Sequence, residues 1–383
     1  MRFIHTADWH LGRQLYTQPL LDDQEFALLQ LIELVEEHRP DALIVAGDLY
    51  DRAVPPAEAV ALLDRTLSRI ILDLGVPVLV VAGNHDSPDR VGFASAVLDA
   101  GGLHMAGRLE AEPRSVVLGE GDDLTRVWLL PYADPIETRH ALGDESVHDH
   151  QDAVRGCLER IRACEAAEPR QVLVTHHFIG GGIVSESERG LTVGGTGAVG
   201  AELFDGFDYV ALGHLHRPQS IHDARLHYSG SLLKYSFDEA AQPKSVSIVD
   251  LTDEGLTVTP VPLAPRRDVR RIEGTLTDVV MGAAADDARD DYVEIVLDEP
   301  VMPPDAAGRA RELYPNMLRI ARKVELLEPD GHAEPGPTSV EKLTDGVLFE
   351  RFFEYTTGEQ LAAEEHAVLL ELLAERERSL RGE

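Results

Sequence analysis

The sequence predicts a layered α/β fold. Short β-branched or apolar runs recur at residues 2–6, 42–46, 78–82, 126–130, 171–175 and 208–212, helical periodicities lie between the early ones, and a glycine or a polar cluster follows most of them. Apolar runs of strand length alternating with period-3.6 segments are the signature of sheets covered by helices. After the first run, Phe26, Leu28, Leu29, Ile32 and Val35 recur at helical spacing behind Asp22 and Asp23, which are suited to cap that helix. After the second, Pro55-Pro56 opens a helix carrying Val60, Leu63, Leu67, Ile70 and Ile71. Both helices are expected to flank the sheet.

Residues 244–250 read as a last strand, because Pro260, Pro262 and Pro265 follow, and then the basic cluster Arg266, Arg267, Arg270 and Arg271. A domain boundary is placed there, giving a first domain of residues 1–265. Residues 266–328 read as a small α+β unit with strands at 269–275 and 292–297 and a helix at 304–314. Residues 329–383 read as a Gly/Pro-containing linker and a helical tail. Leu348, Phe349, Phe352, Phe353 and Tyr355 crowd together there in a chain that is 5% aromatic, ahead of a Glu/Leu-rich amphipathic helix at 359–378. The tail is too short to bury that face against itself and is expected to dock on another surface.

Lys and Arg number 35 against 68 Asp and Glu, a net charge of −33. Such a chain does not grip nucleic acid or anionic lipid by bulk positive charge, so any polyanion it handles is held locally. No stretch approaches the roughly 18 apolar residues of a spanning helix, and Met1 to His5 opens a strand rather than a signal peptide, so the chain reads as cytoplasmic. Cys157 and Cys164 lie in one helical stretch and read as small packing residues.

Five polar clusters fall at the C-terminal ends of these strands, where open α/β sheets place their ligands: Asp8-Trp9-His10, Gly47-Asp48-Leu49-Tyr50-Asp51, Gly83-Asn84-His85-Asp86, His176-His177 and Gly213-His214-Leu215-His216. They offer carboxylate, imidazole and amide but no thiolate, which favours Mn²⁺, Fe²⁺ or Zn²⁺. Residues i and i+2 at a strand end point the same way, so Asp8 with His10, and His214 with His216, can address one centre or two adjacent ones. One carboxylate can bridge two metals. Two cations about 4 Å apart suit phosphoester hydrolysis, and an imidazole beside them, for which His85 next to Asn84 is the candidate, can serve the leaving oxygen. His148-Asp149-His150 reads instead as a surface or capping element, and His5 as a packed core residue. Residues 195–200 match G-x-G-x-x-G but lack the strand and the acidic partner of a dinucleotide site, and read as a loop near the site. No G-x-x-x-x-G-K-[ST] is present, so the chain is not expected to bind a nucleotide itself.

In this order, D-x-H, G-D-x-x-D, G-N-H-D, H-H and G-H-x-H resemble the calcineurin-like metallophosphoesterase superfamily. Residues 1–12, 47–56, 204–219 and 228–236 resemble, more narrowly, its bacterial nuclease subunits of SbcCD type, partners of the SMC-like ATPase SbcC. The resemblance implies a four-layer α/β/β/α metallophosphoesterase sandwich with a small α+β capping domain and a C-terminal helical tail. It implies that Asp8, His10 and His216 hold one Mn²⁺, that Asn84, His176 and His214 hold another, that Asp48 bridges them and that His85 is catalytic; Mg²⁺ or Fe²⁺ also suit these donors. His176 is preferred to His177 because the run 171–175 ends just before it. Asp51 stands where archaeal and eukaryotic relatives carry a second catalytic histidine, leaving it free to orient a ligand histidine.

By the same resemblance the enzyme cuts DNA, as an ATP-dependent 3′–5′ double-strand exonuclease and a hairpin endonuclease in recombination, replication and end processing, and is nucleoid-associated. Its tail binds the SbcC-type ATPase within a 2:2 heterotetramer, and residues 20–38 and 56–74 form the homodimer face. Arg266 to Arg271 could touch phosphates or form a solvated linker. Competing readings are a general phosphodiesterase acting on small esters and an inert tethering scaffold.

Overall fold

The computed structural model describes residues 1–164, 168–191 and 197–323. Two six-stranded mixed sheets face each other. In the first, Gly255–Pro262, Ser245–Thr252, Arg2–Thr6, Ala42–Ala46, Val78–Val81 and Leu103–Ala106 lie side by side, the last four parallel. In the second the order is Gln219–Ser220, Leu226–Tyr228, Tyr209–Gly213, Arg170–His176, Thr125–Leu130 and Arg114–Leu118, with the inner four parallel.

Strands buried on both faces read as unbroken apolar runs, and Ala42–Ala46 is buried at every residue. Phe3, Ile44, Leu79 and Val81 meet Val127, Leu129, Val172, Val174 and Ala211 between the sheets. The opposite face of the first sheet packs on the helices Leu21–His38 and Ala57–Ser68 through Leu28, Leu31, Val35, Leu62 and Leu63. That of the second packs on His150–Ala163 through Val154, Cys157, Leu158 and Ile161. The result is the α/β/β/α sandwich.

Several expectations are corrected. Asp22 and Asp23 do not cap their helix: they lie in its first turn behind Leu20, which makes no side-chain cap. The strand after residue 244 is not the last, because Gly255–Pro262 returns along it as an antiparallel edge. Pro260 and Pro262 are tolerated there because an edge strand has one side on which no N–H is required. Cys157 is buried as expected, but Cys164 is the exposed C-cap of its helix. Asp149 of the His148–His150 stretch caps that same helix by accepting from the Asp152 N–H.

Beyond residue 268, Val269–Gly274, Tyr292–Leu297 and Met317–Arg322 form a three-stranded parallel sheet, crossed by Leu276–Ala283 and Ala306–Leu313. The first of these helices and the third strand were not legible in the sequence. This sheet has its own core of Leu276, Val279, Val293, Ile295, Ala310 and Tyr314. Val269 and Tyr292, however, pack into the core of the large domain. Buried Asp23 ties the two together, accepting from Arg267 at 2.8 and 3.0 Å and from the Tyr292 hydroxyl at 2.9 Å. The basic cluster is committed to carboxylates: Arg266 to Asp22, Arg267 to Asp23, Arg270 to Asp286 and Arg271 to Glu294. The expected tail 329–383, the end of the capping unit from residue 324 and residues 195–196 of the glycine loop lie outside the described residues.

Candidate metal centre

The parallel strands all deliver their C-terminal ends to one edge of the sandwich, and the chain turns sharply as it leaves them. Asp8, His10, Asp48 and His214 adopt φ of 53°, 45°, 52° and 102°. This left-handed region costs a non-glycine residue on the order of 1–3 kcal/mol and persists only where the surroundings enforce it. The Asp8 N–H donates to Gly47 O at 3.0 Å, the His10 N–H to Asp48 O at 2.9 Å and the His214 N–H to the Asp8 carboxylate at 3.0 Å. Two neighbouring glycines are required by close approach. A Cβ on Gly213 would overlap Ala46 O and the His176 ring, and one on Gly83 would overlap the Asp48 carboxylate.

The turns bring the seven expected ligands and His85 together. His10 Nε2 and His216 Nε2 lie 3.1 Å apart, with an Asp8 oxygen within 4.8 Å of both. Asn84 Oδ1 lies 3.0 Å from His176 Nε2 and 3.0 Å from His214 Nδ1. Asp48 Oδ2 stands between the groups, 3.5 Å from His10 Nε2 and 3.4 Å from His176 Nε2. Ligands at right angles around an ion with bonds of about 2.1 Å lie about 3 Å apart, so these spacings suit two cations sharing Asp48. At 3.1 Å the two Nε2 atoms either share one hydrogen, carried by one of the imidazoles, or both turn their lone pairs to a cation. The donor set therefore fits the metals that the sequence implies.

The remaining atoms of several of these side chains hold them in place. His176 Nδ1 donates to Ala46 O at 2.8 Å, leaving Nε2 to face the centre. His177 points away, stacking on Tyr132 and accepting from the Ala133 N–H at 3.3 Å. His85 Nδ1 donates to the Asp51 carbonyl at 2.8 Å, which orients its ring edge-on to His10 with centroids 4.8 Å apart. The Asp51 carboxylate lies 3.4 Å from Arg13 and 3.9 Å from His10 Nδ1. Ligand atoms of His10, Asp51 and His85 also fall within 4.8 Å of one another. Asp86, quoted in the sequence motif without a role, ties two ligand turns together by accepting from the N–H groups of Leu49, Tyr50 and Gly83 at 3.1, 3.0 and 2.9 Å. His5 is a core residue, donating to or accepting from the Tyr209 hydroxyl at 2.8 Å.

Burial dominates the electrostatics. It pushes His10 well below its usual range, His214 down to about 3 and His216 down to about 4. Burial likewise raises Asp8 to about 7. At His176 burial opposes the charge but is outweighed by Asp48, which holds the imidazole up at about 9. Burial would also raise Asp48, yet His176 and His10 hold it well below the carboxylate range. A cation bound at the centre would displace the proton from His176.

Sequence reasoning missed the residues behind His216: Ser187, Glu188, Glu239 and Lys244. They lie outside every strand-end motif, and no spacing signal connects them to it.

The calcineurin-like phosphoesterase family matches residues 1–218, and the family described as type 5 capsule protein repressor C-terminal domain matches residues 265–357. The SbcD chain of the SbcCD nuclease of Staphylococcus saprophyticus is 34% identical over 361 residues, covering 94% of each chain. That of Staphylococcus epidermidis is 33% identical over 364 residues, covering 94% of this chain and 95% of the other. A solved dimetal phosphatase from Danio rerio is 11% identical, covers 69% of this chain and 99% of its own, and superposes with a TM-score of 0.39.

Proposed function

Because the chain belongs to the calcineurin-like phosphoesterases, in the family of the SbcD chains of SbcCD nucleases, we propose that it is the DNA-cutting component of an SbcCD-type complex and works with two Mn²⁺ ions. The observation that carries this reading is the position of Asp48 Oδ2, within 3.5 Å of a ligand nitrogen from each of two donor groups. Asp8, His10 and His216 would hold one ion, Asn84, His176 and His214 the other, and Asp48 both. Two such ions supply positive charge to the phosphoryl oxygens and acidify a water nucleophile.

The chain's own residues do the rest. The left-handed turns at Asp8, His10, Asp48 and His214 preorganise the donors, so little reordering accompanies the reaction. In its protonated form His85, fixed through Nδ1 by the Asp51 carbonyl, offers an Nε2–H to the departing oxygen or to the charge developing on the phosphoryl oxygens. A centre of this kind concentrates positive charge locally, which reconciles a polyanionic substrate with a net charge of −33. ATP dependence comes through the SbcC-type partner, since this chain has no P-loop sequence. The 3′–5′ direction, hairpin opening, partner docking by the tail and a homodimer through residues 20–38 and 56–74 belong to the same reading. Among the described residues no helix is long and apolar enough to cross a membrane.

The test is a Mn²⁺ titration against an end-labelled duplex and a small chromogenic phosphodiester, with and without the ATPase partner and ATP. Shortened DNA that requires Mn²⁺ and increases with partner and ATP supports the reading. Turnover of the small ester with DNA untouched throughout replaces it with a general phosphodiesterase. No turnover of either leaves a tethering component.

A further inference from the structure

We infer that Ser187 and Glu239 form a relay that fixes His216 as a metal ligand through Nε2, making Ser187 a positioning residue for one of the two ions. The inference rests on the two-metal reading above and concerns residues that lie 29 and 23 positions from His216 in the chain, Ser187 reaching it from a separate loop.

His216 Nδ1 lies 2.7 Å from Ser187 Oγ. The two nearby carboxylates are too distant to serve it directly, Glu239 Oε1 at 3.6 Å and Glu188 Oε1 at 3.7 Å. Both are also engaged elsewhere. Glu188 accepts from the backbone N–H groups of His216 and Ser185. Glu239 Oε2 accepts from the Lys244 ammonium at 2.6 Å, and Oε1 accepts from Ser187 Oγ at 2.6 Å and shares with Asp238 the single hydroxyl hydrogen of Ser236. Glu239 is 0% exposed and Lys244 6%, so this ion pair keeps the carboxylate ionised and limited to accepting.

The direction of each hydrogen bond then follows. Ser187 has one hydroxyl hydrogen, and Glu239 can only receive it. A lone pair of Ser187 Oγ therefore faces His216, and Nδ1 must supply the hydrogen. The imidazole is left with its lone pair on Nε2, the atom 3.1 Å from His10 Nε2. A ligand histidine whose second nitrogen donates to a carboxylate is a common support for a metal; here a serine hydroxyl is interposed. Lys244 closes the unit by donating a second hydrogen to His216 O at 2.8 Å, anchoring ring and backbone to the same buried charge.

The test uses the purified full chain and Mn²⁺ alone, with binding followed by calorimetry and Mn²⁺ EPR. Wild type binds two ions. In Ser187→Ala one of the two affinities falls about 10–100-fold while the other is unchanged, and Ser187→Thr restores it. In metal-free protein, ¹⁵N spectra of labelled histidines, assigned with His216→Gln, show hydrogen on His216 Nδ1 in wild type and a tautomer mixture in Ser187→Ala. Glu239→Gln reproduces the selective loss, and unchanged thermal midpoints exclude misfolding of the serine variant. Two wild-type affinities in Ser187→Ala, equal loss at both sites, or hydrogen on Nε2 in wild type would each overturn the relay. Failure of wild type to bind Mn²⁺ overturns the two-metal reading instead.

Discussion

His10 and His216, 206 residues apart in the chain, bring their Nε2 atoms to 3.1 Å in a fully buried setting. Two neutral imidazoles cannot share that space favourably unless a cation or a proton lies between them. A divalent metal that takes the place of that hydrogen would tie the two segments together, and so add to the stability of the protein as well as to its chemistry.

Mn²⁺ is therefore expected to raise the thermal midpoint relative to EDTA-treated protein. An ion at 100 times its dissociation constant contributes about 2.7 kcal/mol per site. Asp48→Asn removes the charge shared by both groups and should abolish most of the shift in a thermal denaturation series. A shift of wild-type size in that variant would contradict the shared role.

His85→Ala should separate binding from catalysis. Its ring is held by the Asp51 carbonyl and lies beside His10. Loss of an acid–base or charge-stabilising group lowers turnover about 10²–10⁴-fold. Mn²⁺ stoichiometry by calorimetry should stay at the wild-type value while cleavage of labelled DNA falls. Loss of an ion together with activity would mark His85 as a ligand.

Asp23→Ala should loosen the small sheet. Asp23 is 1% exposed and is the carboxylate between Arg267 and Tyr292. Removing one partner of a buried pair costs about 3–5 kcal/mol. Hydrogen exchange should accelerate in Val269–Gly274 and Tyr292–Leu297 while Arg2–Thr6 and Ala42–Ala46 stay protected. Uniform protection would show that the apolar contacts of Val269 and Tyr292 suffice.

His227 should confer acid sensitivity. It sits between Ser220 Oγ at 2.9 Å and Ser247 Oγ at 2.8 Å, and burial lowers it to about 4. The unfolded chain takes up this proton below about pH 6.5 and the folded one does not until about pH 4, so stability is lost as pH falls through that window. By pH 5 the loss is about 2 kcal/mol. Unfolding free energies from urea titrations at pH 7.5 and 5.0 should differ less in His227→Gln than in wild type by that amount. An equal difference would place the acid sensitivity elsewhere.

Six of the eight parallel strands of the two large sheets were legible because burial on both faces leaves little choice of residue, as in Ala42–Ala46, whereas the short Leu103–Ala106 and Leu226–Tyr228 were not. Edges were not: Gly255–Pro262 alternates in exposure and carries prolines, so nothing local distinguishes it from a linker. Asp22 and Asp23 looked like caps because capping is a local interaction, whereas the partners of Asp23 are 244 and 269 residues away.

The sequence by itself determined the layered fold and the five polar clusters at its strand ends, because side-chain alternation and strand-end turns are local properties of the chain. It also placed His176 at a strand end, next to a histidine that the same alternation turns toward Tyr132. Only the tertiary structure decided that Asp48 stands between two groups of candidate ligands, that Asp51 serves His85 through its carbonyl, and that Ser187 and Glu239 lie behind His216. These are contacts between distant segments, and a donor or acceptor acquires a direction only when packing brings its partner into place.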